Sequence, residues 1–92
     1  MTKLEEKLIQ LGYEYASPNG YFCRLKADWV MRYEKDTEQD YRLVIDLDSN
    51  RNKIVDYFIS LTLLRPKDFN DFQESLNQLQ KDLEVLKEYE KL

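Results

Sequence analysis

The chain has 92 residues, with 42% hydrophobic and 35% charged residues, and 14 Lys/Arg against 18 Asp/Glu give a net charge of −4 at pH 7. A chain of this length is one domain, 1–92. It buries only about 60–65% of the surface its unfolded form exposes, which leaves no room for a deep cofactor cleft. Histidine is absent and Cys23 is the one cysteine, so the commonest general base is missing and neither an intramolecular disulfide nor a multi-cysteine zinc site can form.

No stretch approaches the roughly 20 apolar residues that cross a bilayer. Residues 1–11 alternate charge and leucine, unlike the apolar run of a signal peptide. The expectation is a cytoplasmic protein in a reducing compartment, without a membrane partner. Charge is segregated along the chain. Residues 1–67 carry eleven Lys/Arg and eleven Asp/Glu, whereas residues 68–92 carry three Lys and seven acids. The acidic balance argues against a general nucleic-acid binder, whose phosphate contacts need excess Lys and Arg.

Thr2 followed by Glu5 has the form of a capping box, and Leu4, Leu8 and Leu11 recur at helical spacing before Gly12. This predicts a helix of about ten residues, too short to persist in water without docking. Tyr13-Glu14-Tyr15 leads into Ser17-Pro18-Asn19-Gly20, and Asn-Gly favours a tight hairpin turn. From Tyr21 to Glu34 apolar and polar residues alternate, which fits one long bent strand or two strands broken near Ala27. Residues 34–40 form a polar tip, and Tyr41, Leu43, Ile45 and Leu47 then mark the buried face of another strand. Asp48-Ser49-Asn50-Arg51-Asn52 is a turn by composition.

Val55, Tyr57, Ile59, Leu61 and Leu63 point inward on a last strand whose other face carries Ile54, Phe58 and Leu64. Two apolar faces suit a central position in the sheet, or a contact on the second face. Asp68 or Asn70 caps a final helix, along which Phe69, Phe72, Leu76, Leu79, Leu83 and Leu86 form an a/d stripe. About 24 helical residues would span roughly 36 Å and overhang a sheet about 19–24 Å wide. The predicted fold is α+β: a short N-terminal helix, an antiparallel meander of four to five strands, and a long C-terminal amphipathic helix, the helices covering one face.

Several constellations have plain structural explanations. Asp48-x-Asn50-x-Asn52 imitates the start of a calcium loop, but Lys53 stands where the loop needs Gly and Ile59 where it needs Glu. Asp46 and Asp48 form a carboxylate pair without a neighbouring nucleophile, and Cys23 lies on an apolar strand face as a structural thiol. Phe22 and Phe58 among Arg24, Lys26, Arg32 and Arg42 form the one patch suited to stacking single-stranded nucleic acid. Asp28, Glu34, Asp46 and Asp56 share that face, which disfavours direct nucleic-acid binding. No enzymatic activity, cofactor or metal is expected. At the tip, Glu34, Asp36, Glu38 and Asp40 fall at every second position, about 6.6 Å apart in an extended chain, a spacing close to that of successive phosphates.

Leu8-Ile9-Gln10-Leu11-Gly12-Tyr13-Glu14-Tyr15, Asn19-Gly20-Tyr21-Phe22 and residues 77–89 resemble, in composition and arrangement, short accessory proteins of phages and integrated elements in low-GC Gram-positive bacteria. Some small acidic proteins of that group block host defence nucleases, CRISPR effectors among them, by occupying nucleic-acid-binding surfaces. The resemblance therefore implies an anti-CRISPR-like inhibitor, a non-enzymatic binding module acting as a nucleic-acid mimic on a host protein with a basic surface. The acids expected to carry the contact are Glu34, Asp36, Glu38 and Asp40 at the tip, with Asp71, Glu74, Glu84 and Glu88 on the last helix. The alternative is a homodimer formed through Leu83, Leu86, Tyr89 and Leu92 at the end of that helix.

Overall fold

In the computed structural model, residues 2–18, 30–61 and 68–89 are described. Thr2 and Glu5 close the expected capping box: the Glu5 amide donates to the Thr2 hydroxyl at 3.2 Å and the Thr2 amide to the Glu5 carboxylate at 2.7 Å. Helix α1 (Lys3–Gln10) follows, burying Leu4 and Leu8. It ends in a Schellman motif, in which the Tyr13 amide donates to the Leu8 carbonyl and the Gly12 amide to the Ile9 carbonyl. Gly12 has φ of 98°, a conformation that side-chain-bearing residues rarely adopt.

Four antiparallel strands come next, in sheet order β1 (Glu14–Pro18), β2 (Val30–Asp36), β3 (Tyr41–Asp48) and β4 (Lys53–Leu61). The architecture is the α+β arrangement that the alternation and capping signals predict. Asp40 (φ 62°) and Asn52 (φ 58°) supply the left-handed residues of the two tight turns. The Asp48 carboxylate accepts from the Asn50 and Arg51 amides at 2.9 and 3.0 Å, so it organises a turn. Asp68 caps α2 (Phe69–Val85) by accepting from the Asp71 amide, and a short 3₁₀ turn (Lys87–Tyr89) follows.

The core lies between the sheet and the two helices. Leu4, Leu8 and Tyr13 meet Tyr33, Leu43, Ile45 and Leu47, and Leu79, Leu86 and Tyr89 close it from above. Strand β3 is also buried on its second face, through Val44 and Asp46.

Four features differ from the sequence-based expectations. Among the described residues β4, the strand read with two apolar faces, has β3 as its one neighbour, and β2 and β3 hold the central places. A bulge between Asp46 and Leu47 shifts the β3–β4 register, pairing Leu47 with Ile54, so Ile54 joins the helix-side core instead of the opposite face. The regular part of α2 is 17 residues, about 26 Å at 1.5 Å per residue, which removes most of the expected overhang. Finally, Tyr15 pairs with Tyr33 and Pro18 with Met31, so among the described residues the partner of β1 is β2. The Asn19-Gly20 turn itself, Cys23, and the choice between one strand and two over residues 21–29 lie outside the described residues.

A Cβ added at Gly12 would sit 3.3 Å from Lys35 Cδ, in addition to the cost of its positive φ. Gly12→Ala should therefore lower stability by about 1–2 kcal/mol, read as a lower urea midpoint with an unchanged slope.

Candidate functional site

The way α2 meets the sheet decides which side chains are brought together. Its apolar stripe is centred on Phe72, Leu76 and Leu83, but the residues it buries are Ser75, Leu79, Asp82 and Leu86. At 3.6 residues per turn the buried face is rotated by about 60° from the apolar one. The cause is polar. Asp82 is buried and accepts from the Tyr13 hydroxyl at 2.8 Å, from Lys35 Nζ at 2.5 Å and from Gln78 Nε2 at 3.1 Å. Lys35 Nζ also donates to the Leu11 carbonyl at 2.9 Å and lies 4.5 Å from the centre of the Tyr13 ring. One part-buried ion pair thus ties the exit of α1, the end of β2 and the last turn of α2 into a single cluster.

The same rotation places Ser75 over the β2–β3 turn. Its hydroxyl is 2.9 Å from that of Thr37 and donates to Gln39 Oε1 at 3.3 Å, while Gln39 Nε2 donates to Glu74 at 2.8 Å. Tyr41 and Phe72 meet edge to face at 5.7 Å beside them. The polar tip is thereby fastened to the first half of α2. Between tip and helix lies a cleft of about 500 Å³ lined by Lys35, Asp36, Thr37, Glu38, Gln39, Glu74 and Gln78. A second, of about 400 Å³, shares Lys35 and Asp36 and adds Glu14, Glu34 and Arg42.

Of the acids singled out in the sequence, Asp36, Glu38 and Glu74 converge on the first cleft. Glu34 and Asp36 stand on β2, where Arg42 reaches both, at 3.6 and 2.8 Å. Glu38 and Asp40 belong to the turn, so the four tip acids do not continue as one straight row. Asp71 lies in the first turn of α2. The remaining two are at the other end of the molecule: Glu84 is exposed, and Glu88 pairs with Lys7 at 2.5 Å. Among the residues proposed for self-association, Leu86 and Tyr89 are in the chain's own core and Leu83, partly buried, packs against it, while Leu92 lies outside the described residues.

The patch suited to nucleic acid is internally neutralised where it is described. Arg32 makes a buried bidentate pair with Asp46, at 2.8 and 2.9 Å, and stacks 5.1 Å from the centre of the Phe58 ring. Phe22, Arg24 and Lys26 lie outside the described residues. Among the described residues, no group of three or more His, Cys, Asp or Glu is placed to hold a metal ion, and no helix is long and apolar enough to cross a membrane.

Sequence reasoning passes over Lys35, Ser75 and Asp82, the residues that build the site. The trace they leave is a second stripe on α2 (Ser75, Leu79, Asp82, Leu86, Tyr89) running beside the apolar one at spacings of 4, 3, 4 and 3. Compared with protein-family models, with curated proteins and with solved structures, the chain finds no match, so the site's chemistry rests on these side chains.

Two tyrosines report on the buried cluster through pH. Burial, and secondarily Asp82, pushes the Tyr13 hydroxyl up. Burial and the hydrogen bond to Glu5, 3.1 Å long, push Tyr33 up to about 12. In Glu5, burial works upward, but the bonds from the Thr2 amide, the Tyr33 hydroxyl and the Thr2 hydroxyl outweigh it and hold the carboxyl below its usual range. For a tyrosine raised in the folded state, the unfolded chain loses its proton first, near pH ~10, so stability is full below that value and falls as pH rises toward the folded pKa. Denaturation series from pH 8 to 12 should show this loss in the native protein and a shallower one in Tyr33→Phe.

Proposed function

We propose that the protein is a non-enzymatic protein-binding module whose acidic end docks on the basic surface of another protein. The observation that carries the proposal is the convergence of Asp36, Glu38 and Glu74 on one cleft, although the first two come from the hairpin tip and the third from α2. The Thr37–Ser75 and Gln39–Glu74 contacts set this geometry before any partner arrives, which reduces the ordering cost of binding. Neighbouring Glu14 and Glu34 extend the same sign of charge, with Arg42 as the internal counter-ion. Such a surface mainly accelerates encounter with a basic partner and selects against acidic ones.

The basic surface proposed is the nucleic-acid-binding groove of a host defence protein such as a CRISPR nuclease, in keeping with the resemblance to mobile-element accessory proteins. Inhibition then follows from occupancy: carboxylates take the places of phosphates, and the bound domain blocks access. Cytoplasmic action in the bacterial host belongs to the same proposal.

The test is capture of a partner from bacterial lysate in the presence of nuclease, followed by binding kinetics on the purified pair. A near-stoichiometric partner should be recovered and its own nucleic acid should compete with the protein. Glu38→Gln with Glu74→Gln should slow association by about tenfold or more and flatten its salt dependence. Unchanged association and salt dependence in that variant would refute the acidic-end mechanism.

A further inference from the structure

Strand β4 is apolar along its helix side, through Tyr57, Ile59 and Leu61, and its other face carries Phe58 between Asp56 and Ser60. Yet among the described residues β4 has one hydrogen-bonded neighbour, β3. Among the described residues four of the seven exposed large apolar side chains belong to this flank, the others being Ile9, Tyr15 and Val85. Tyr57 is 51% exposed, Phe58 37%, Leu61 44% and Phe69, at the start of α2, 89%. The helix and strand parts of this surface are continuous, because Phe72 stands against Tyr41, whose register partner is Leu61, and Phe69 lies one turn before Phe72. The rotation of α2 turns Phe69 away from the buried face of the helix, which adds it to this flank.

We infer that β4 is completed by β4 of a second copy, paired antiparallel about a two-fold axis at Tyr57 to give a continuous eight-stranded sheet. A symmetric antiparallel edge is self-complementary, so one strand supplies both sides of the contact. Charge selects the register. With Tyr57 opposite Tyr57, Asp56 faces Phe58, whereas a two-fold centred on Asp56 would oppose two carboxylates. The area is sufficient. A fully exposed aromatic offers about 150–250 Å², so the four side chains named above leave roughly 400 Å² per copy. With the paired backbones, the dimer passes the ~1,000 Å² that a specific interface needs. This contact differs from the helix-end dimer expected from the sequence, and it is independent of the acidic end.

Sedimentation or light scattering from micromolar to millimolar concentration tests it. The native chain should reach twice its mass of 11.2 kDa. Tyr57→Lys with Leu61→Lys, shown folded by circular dichroism, should stay at the single-chain mass, while Ile9→Ser, an exposed apolar site on α1, should leave the dimer intact. Residues facing each other across antiparallel strands have Cα atoms about 4.5–5.5 Å apart, within disulfide reach. Tyr57→Cys in a Cys23→Ser background should therefore oxidise to a covalent dimer, and Ser60→Cys should not. A monomer at millimolar concentration, a dimer that survives the Lys variant, or a dimer in which Tyr57→Cys does not cross-link would overturn the inference.

Discussion

A carboxylate taken out of water must be paired, and in this fold that requirement falls on Asp82. An unpaired buried charge costs several kcal/mol, more than any single apolar contact in a domain of this size returns. Lys35 from β2 and Tyr13 from the exit of α1 meet it, and both come from chain segments far from α2 in sequence. Helix α2 therefore takes the rotation that brings Asp82 inward, at the expense of the deeper burial its apolar stripe would have had. The left-handed turn at Gly12 belongs to the same solution, since it brings the Leu11 carbonyl and the Tyr13 ring to Lys35, whose Cδ would lie 3.3 Å from a Cβ at that position.

The two candidate surfaces are consequences of that rotation. On one side of α2 it brings Ser75 and Glu74 to the β2–β3 turn, which gathers carboxylates from two elements around a cleft. On the other side it leaves Phe69 uncovered. A helix seated on its apolar stripe would cover more of the second surface and withdraw Glu74 from the first. Charge complementarity at one end and apolar burial at the other are distinct kinds of recognition, the first governing encounter and the second residence.

Local signals in the sequence translated directly into structure. The Thr2–Glu5 box, Gly12, the alternation from Tyr41 to Leu47 and the Asp68 cap each depend on neighbours a few residues away, and each is found where the pattern predicts. The α+β order followed from the changes of hydrophobic period. What was not legible depends on partners distant in sequence. Asp82 looks like an outward-facing helix residue until Lys35 and Tyr13 are known to stand opposite, and Leu86 and Tyr89 look available until the rotation of α2 is known. The bulge opposite Ile54 leaves no trace in the alternation. The acids of the tip were visible as a run, but their union with Glu74, and their separation from Glu84 and Glu88, depend on where α2 lies.

The most direct test of the Asp82–Lys35 tie is a double-mutant cycle. Denaturation of the native chain, Lys35→Met, Asp82→Leu and the combined variant isolates the coupling between the two side chains. If the pair sets the seat of α2, Asp82→Leu alone should cost about 3–5 kcal/mol, and the double variant should recover most of that loss. Additive costs, with no recovery in the double variant, would contradict the account.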